Sequence, residues 1–222
     1  MSNKFKTISI QELPLYHYEA KTKSQDELLK VIEDNEITFI TGQAGTGKTF
    51  STLAMGLQKL INKEYEKLII IKPLVEAEEN LGYLPGQVDS KVYPYHYSTL
   101  FTIDALVGKE KRIELLKKGD VEIMPIAYLR GVTFNNTFIV IDEAQNSTVG
   151  QVKLILTRIG KEAKMVFLGD IKQTDLKNSK TSGLSDAIER FDDLDNVGIF
   201  NFSENDIVRN KIISTLLERY DE

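Results

Sequence analysis

The chain of 222 residues has no cysteine and no tryptophan, two histidines, five prolines, and no apolar run near the length of a membrane span. Without cysteine, disulfides and thiolate metal centres are excluded, and the redox compartment is only weakly indicated. His17 and His96 are far apart in sequence and lack metal-ligand spacing, so both are expected to be ordinary surface or packing residues. Met1 to Tyr18 has no apolar signal-peptide core, and nothing approaches the roughly 20 apolar residues of a transmembrane helix. A cytoplasmic location and no membrane partner are the expectations. Excess positive charge is missing too. The formal net charge is -5, so any grip on nucleic acid has to come from a local patch rather than a global field.

What is present is enough for one domain. A hydrophobic content of 41% in a chain of this length can fill one sizeable α/β core but is short for two complete domains. Apolar runs at Ile37–Thr41, Lys67–Lys72, Phe138–Asp142, Met165–Gly169 and Val197–Phe202 predict buried strands, with Val121–Met124 as one further edge strand. Helical spacing predicts helices at Ser24–Ile32, Lys48–Asn62, Lys109–Lys118, Thr148–Ile159, Ser182–Phe191 and Asn205–Tyr220. Such alternation implies an α/β domain with a mostly parallel sheet covered by helices on both faces. Glu76 to Leu106, with Pro85, Pro94 and several tyrosines, fits the core pattern poorly and is expected to be an insertion on the sheet's rim. Its aromatics, Tyr83, Tyr93, Tyr95, Tyr97 and Phe101, could stack bases or pack locally.

The most specific signal is Gly42-Gln43-Ala44-Gly45-Thr46-Gly47-Lys48-Thr49, a full G-x-x-x-x-G-K-[ST] phosphate loop between a predicted strand and a predicted helix. Its glycines let backbone N–H groups wrap a polyphosphate, and the helix start turns its partly positive end to the same anion. Lys48 is expected at the β- and γ-phosphates and Thr49 on Mg²⁺. The run Phe138-Ile139-Val140-Ile141 ends in Asp142-Glu143, where Asp142 is the expected Mg²⁺ acid and Glu143 the group that deprotonates an attacking water. A third strand ends in Gly169-Asp170-Ile171-Lys172-Gln173. It is expected between the phosphate-loop strand and the Asp142 strand, which makes Gln173 a sensor of the γ-phosphate, since an amide both donates and accepts.

Together these residues resemble the PhoH-like ATPases, whose nucleotide core is similar to the first motor domain of superfamily 1 helicases. The resemblance runs from about Gln25 to the C-terminus, with residues 1–24 as an N-terminal extension. It rests also on Lys72-Pro73-Leu74-Val75-Glu76-Ala77, Leu81-Gly82-Tyr83-Leu84-Pro85-Gly86, Pro125-Ile126-Ala127-Tyr128-Leu129-Arg130-Gly131, Asp142-Glu143-Ala144-Gln145-Asn146 and Leu156-Thr157-Arg158-Ile159-Gly160. Lys72 departs from the arginine usual before that proline, keeping charge but losing bidentate geometry. The resemblance implies a single RecA-like domain using ATP and Mg²⁺. It also implies that Gln25, by pattern alone an exposed glutamine near a helix start, reads the adenine edge, and that Arg209 rather than Arg158 or Arg130 touches the γ-phosphate. Single-stranded RNA or DNA is the implied partner, with Lys72, Lys91, Arg130 and the tyrosine-rich rim as candidate contacts. Because such helicases place ATP between two motor domains and this chain holds one, a homo-oligomer such as a ring is implied as well. Two other readings remain: a nucleotide-dependent switch or scaffold, and a small-molecule kinase, which would need an acceptor pocket and an arginine-bearing lid.

Overall fold

A computed structural model describes residues 19–73, 88–176, 182–207 and 219. The described strands are β1 (Ile37–Thr41), β2 (Lys67–Lys72), β3 (Val121–Pro125), β4 (Thr137–Ile141), β5 (Lys164–Gly169) and β6 (Val197–Asn201). They form one sheet in the order β3-β2-β4-β5-β1-β6, and every pairing is parallel. The expected position of β5 between β1 and β4 is observed, as is β3 at an edge.

Alternation along the strands divides the core into two layers, because successive side chains leave a strand on opposite faces. Ile40, Ile70, Val140 and Leu168 face a layer built with α1 (Lys23–Asp34), α2 (Lys48–Ile61), α3 (Val88–Val107) and α4 (Lys109–Lys118). Phe39, Ile71, Ile141 and Phe167 face the other layer, covered by α5 (Val149–Leu156) and α6 (Gly183–Phe191). Phe39 and Phe167 are register partners on β1 and β5, and their rings stack with centroids 4.8 Å apart. Full burial of each ring contributes about 2–3 kcal/mol by transfer from water. Helix α2 lies close on the sheet at Gly56, where a Cβ would meet Leu68 Cδ1 at 2.9 Å and Phe138 Cδ1 at 3.0 Å.

Local sequence sets the helix ends. Thr22 caps α1, its hydroxyl accepting from Gln25 N at 3.2 Å, and Thr148 with Gln151 forms a reciprocal capping box on α5. At the far end of α1, the Lys164 ammonium donates to the carbonyls of Ile32, Glu33 and Asn35, satisfying acceptors that a helix C-terminus leaves unpaired. Beyond β6, Asp206 accepts from Ser24 Oγ at 2.5 Å, fastening that segment to the first turn of α1.

One expectation needs correction. Part of the segment assigned to the rim, Val88–Val107, is helix α3, and Leu100, Ile103 and Leu106 are buried in the core. Their three-residue spacing is a helical stripe that Pro94 and the surrounding tyrosines obscure in the sequence. Residues 74–87 lie outside the described residues, as do 208–218 and 220 of the helix expected at Asn205–Tyr220.

Candidate nucleotide site

Parallel topology brings the C-terminal ends of β1, β2, β4 and β5 to one edge, the location where ligands collect in open α/β sheets. A cleft of about 350 Å³ lies there, lined by Ala44, Gly45, Gly47, Lys48 and Thr49 of the loop and by Asp142, Glu143, Asp170 and Gln173. Gly45 and Gly47 have φ of 96° and 90°, left-handed conformations that few side chains adopt. The Lys48 ammonium is held by the loop's own carbonyls, Gly42 O at 2.5 Å and Gln43 O at 2.9 Å. Thr46 is fully buried and its hydroxyl donates to Gln43 O at 3.0 Å. The loop is therefore internally fastened before α2 begins at Lys48.

Thr49 Oγ1 donates to Asp142 Oδ1 at 2.9 Å. Two hard oxygen donors from separate elements thus meet at one point, and no group of three or more His, Cys, Asp or Glu suited to a metal occurs among the described residues. A hydroxyl plus one carboxylate suits Mg²⁺, which takes few protein ligands and completes its shell with water and phosphate oxygens. The other oxygen of Asp142, Oδ2, lies 3.1 Å from Lys72 Nζ, with both side chains over 90% buried. Lys72 also donates to Ser98 Oγ on α3 at 3.0 Å. This removes Lys72 from the candidate strand contacts: a buried ammonium already shared by a carboxylate and a hydroxyl does not present itself to a partner at the surface.

Glu143 follows with φ 59°, a left-handed residue that turns the chain sharply after β4 and leaves its side chain exposed beside buried Asp142. Gln145, which pattern reading passed over, holds it. Its Nε2 donates to Glu143 Oε2 at 2.8 Å and its Oε1 accepts from Asp170 N at 3.2 Å. Gln145 is 3% exposed, and its own carbonyl accepts from Ser182 Oγ at 3.1 Å. A glutamine two residues past a pair of acids was the only sequence signal of this bridge between the ends of β4 and β5. Asp170 Oδ2 is buried without a hydrogen-bond partner, leaving an acceptor in the cleft wall. Gln173 lies in the turn after β5 and lines the same cleft.

Gln25 lies in the first turn of α1 but is buried rather than exposed. It is 4% exposed, with Nε2 donating to Thr46 O at 3.1 Å and Oε1 accepting from Lys21 N at 2.9 Å. Arg158 is committed to the carbonyls of Val132 at 3.1 Å and Leu154 at 3.3 Å, whereas Arg130 is exposed. Arg209, Tyr83 and the side chains of Lys91, Tyr93 and Tyr95 lie outside the described residues. Tyr97 and Phe101 are exposed one turn apart on α3, beside Ser98. Burial first, and the charge of Lys72 second, hold the pKa of His96 below the usual imidazole range. No helix among the described residues is long and apolar enough to cross a membrane.

The chain is 40% identical over 202 residues to a PhoH-like protein of Synechocystis, covering 91% of this chain and 62% of that one. It is 39% identical over 203 residues to Protein PhoH of Escherichia coli K12, covering 90% and 57%. It thus spans about 60% of the length of these relatives. Among solved structures, the large terminase of a thermophilic bacteriophage, in complex with ADP, shares the fold with a TM-score of 0.51 at 12% identity, over 89% of this chain and 49% of that one. The PhoH-like protein family profile matches residues 17–221, nearly the whole chain, and the chain belongs to that family.

Proposed function

We propose that this chain is an Mg²⁺-dependent ATP hydrolase whose cycle acts on single-stranded RNA or DNA, working in the cytoplasm as a homo-oligomer. The observation that carries the hydrolase reading is the meeting of Lys48, the Thr49–Asp142 pair and Glu143 in one cleft. The ADP in the terminase of similar fold is consistent with a nucleotide there.

In this mechanism the loop N–H groups and the Lys48 ammonium bind the phosphates and balance their charge. Thr49 and Asp142 would hold Mg²⁺, which when bound polarises the phosphoryl oxygens. Glu143 accepts a proton from water as the water oxygen bonds to the γ-phosphorus. The bond from that phosphorus to the β-bridging oxygen breaks, and ADP leaves with its electron pair. Gln145 orients Glu143, and Gln173 senses whether the γ-phosphate is attached. A carboxylate next to the metal acid favours water over a metabolite as acceptor, which weighs against the kinase reading. Partner binding is assigned to single strands because the family resemblance implies it, and the exposed rings of Tyr97 and Phe101 are available for base stacking, which would add to local basic contacts with the backbone.

Steady-state ATP hydrolysis with and without single-stranded RNA and DNA, across protein concentration, tests the whole reading. Stimulation by one strand type and a rise in activity per subunit with concentration are expected. Turnover indifferent to both would leave a nucleotide switch in place of a motor.

A further inference from the structure

Gln173 sits on a loop outside any helix or strand, so its place in the cleft depends on what holds the loop on either side of it. Inside the loop, Asp170 begins a tight turn: its Oδ1 accepts from Lys172 N at 3.0 Å and its carbonyl from Gln173 N at 3.0 Å. Two outer anchors come from one short 3₁₀ helix, Ala144–Asn146, which directly follows Glu143. Before Gln173, Asp170 N donates to Gln145 Oε1 at 3.2 Å. After it, Asp175 N donates to Asn146 Oδ1 at 2.9 Å, and Asn146 Nδ2 donates to Asp175 Oδ2 at 3.0 Å. Two bonds running in opposite directions between one side chain and one residue fix orientation as well as distance. Asn146 is buried while Gln173 and Asp175 are exposed, so the fixed end of the pair is the one beside the base. Asn146 N also donates to Glu143 O at 3.0 Å, closing the turn onto Glu143 itself.

From this bracket we infer that Asn146 is a positioning residue: through its paired bonds to Asp175 it sets where Gln173 stands relative to Glu143. The inference rests on the hydrolase reading of the cleft and deepens it. Gln145 holds the loop ahead of Gln173 and Asn146 holds it behind, so the base and the γ-phosphate sensor are mounted on one unit. A further link on the far side, Thr174 Oγ1 donating to Gln145 O, spans 3.4 Å, longer than the usual O–H···O range, and is a poor substitute for the Asn146 pair. A sensor that must meet a phosphate oxygen tolerates little drift, since misplacement by about 1 Å costs on the order of 10²-fold.

A polarity swap tests the pairing. Asn146→Asp removes the donor and sets two carboxylates against each other. Adding Asp175→Asn restores two bonds with the polarity exchanged, because the carboxylate at 146 then accepts from the backbone N–H of 175 and from its new amide. The kcat for Mg²⁺-ATP, the dissociation constant for ATP and the ligand-free melting temperature are measured for wild type, Asn146→Asp and the double swap, and for Asn146→Asp in a Gln173→Ala background. Asn146→Asp should lower kcat about tenfold or more with ATP affinity kept, and the double swap should return to within about threefold of wild type, the scale of coupling between contacting residues. In Gln173→Ala, the same Asn146→Asp change should lower kcat little further, because Asn146 acts through Gln173. Asn146→Ala, which removes both bonds without adding charge, replaces Asn146→Asp in that background if the latter does not fold. Losses that add in the Gln173→Ala background overturn the inference, as does a double swap that fails to recover kcat. A lower melting temperature with kcat per folded enzyme unchanged also overturns it, leaving the pair a structural link. Wild type that bound Mg²⁺-ATP without hydrolysing it would overturn the hydrolase reading itself, a result distinct from additive losses in an active enzyme.

Discussion

The Lys72 ammonium lies 3.1 Å from Asp142 Oδ2, and that carboxylate's other oxygen accepts from Thr49, so one buried acid joins the ends of β2 and β4 to the start of α2. Lys72 also reaches Ser98, which extends the connection to α3. Removing one partner of a buried ion pair leaves an uncompensated charge, at a cost of roughly 3–5 kcal/mol. Lys72→Met should therefore lower the melting temperature sharply, and Lys72→Arg should lower it much less because the charge is kept. A calorimetric melt of the two variants checks this; equal, small losses would mean the pair contributes little.

Gln145 links Glu143 to the backbone of Asp170, with each end of its amide engaged. Gln145→Leu keeps the volume and removes both bonds, letting Glu143 drift. Misplacement of a reacting group by about 1 Å costs on the order of 10²-fold. Turnover should fall on that scale while ATP affinity is retained. Equilibrium nucleotide binding measured beside kcat decides it, and an unchanged kcat would show that Glu143 needs no such support.

Much of this arrangement was legible in the sequence, and the parts that were not share a cause. Strands stood out because burial on both faces makes them continuous apolar runs, as in Phe138–Ile141, and the loop because its glycines answer a backbone requirement at Gly45 and Gly47. The core stripe Leu100, Ile103 and Leu106 is hidden by Pro94, since proline locally argues against a helix interior. Polar bridges were the hardest to see. Gln25, Lys72 and Gln145 look like surface residues by type, and only the packing of separate elements buries them beside partners as distant in sequence as Thr46, Asp142 and Asp170.

Asp206 gives a pH prediction. A hydrogen bond from Ser24, then those from Ser203, hold its carboxyl below the usual carboxylate range. A depressed carboxylate stabilises the fold above its unfolded pKa of about 3.9 and loses that contribution as pH falls through the lower folded value. The melting-temperature gap between wild type and Asp206→Asn should be present near neutral pH and shrink below about pH 4. A gap that stays constant into acid would remove Asp206 as the fastening group between α1 and the segment after β6.

Arg209 is expected to complete the γ-phosphate environment, within its own chain or across a subunit boundary. Arg209→Ala should lose on the order of 10³-fold in turnover, the scale of arginine-finger removal. Mixing Arg209→Ala with Lys48→Ala subunits should restore part of the activity if an intact arginine serves a neighbour's intact loop. No recovery in verified mixed oligomers rejects the arrangement across subunits, and unchanged turnover in Arg209→Ala rejects the residue.

Hydrolysis of ATP in this cleft with Glu143 as the base is tested most directly by purified Glu143→Gln. The substitution keeps shape and hydrogen-bonding capacity, including the bond to Gln145, and removes only the ability to take a proton. ATP with Mg²⁺ should remain bound, unlike in Lys48→Ala, while turnover falls roughly 10²- to 10⁴-fold, the scale of general-base loss. Near-normal hydrolysis by Glu143→Gln would contradict Glu143 as the base.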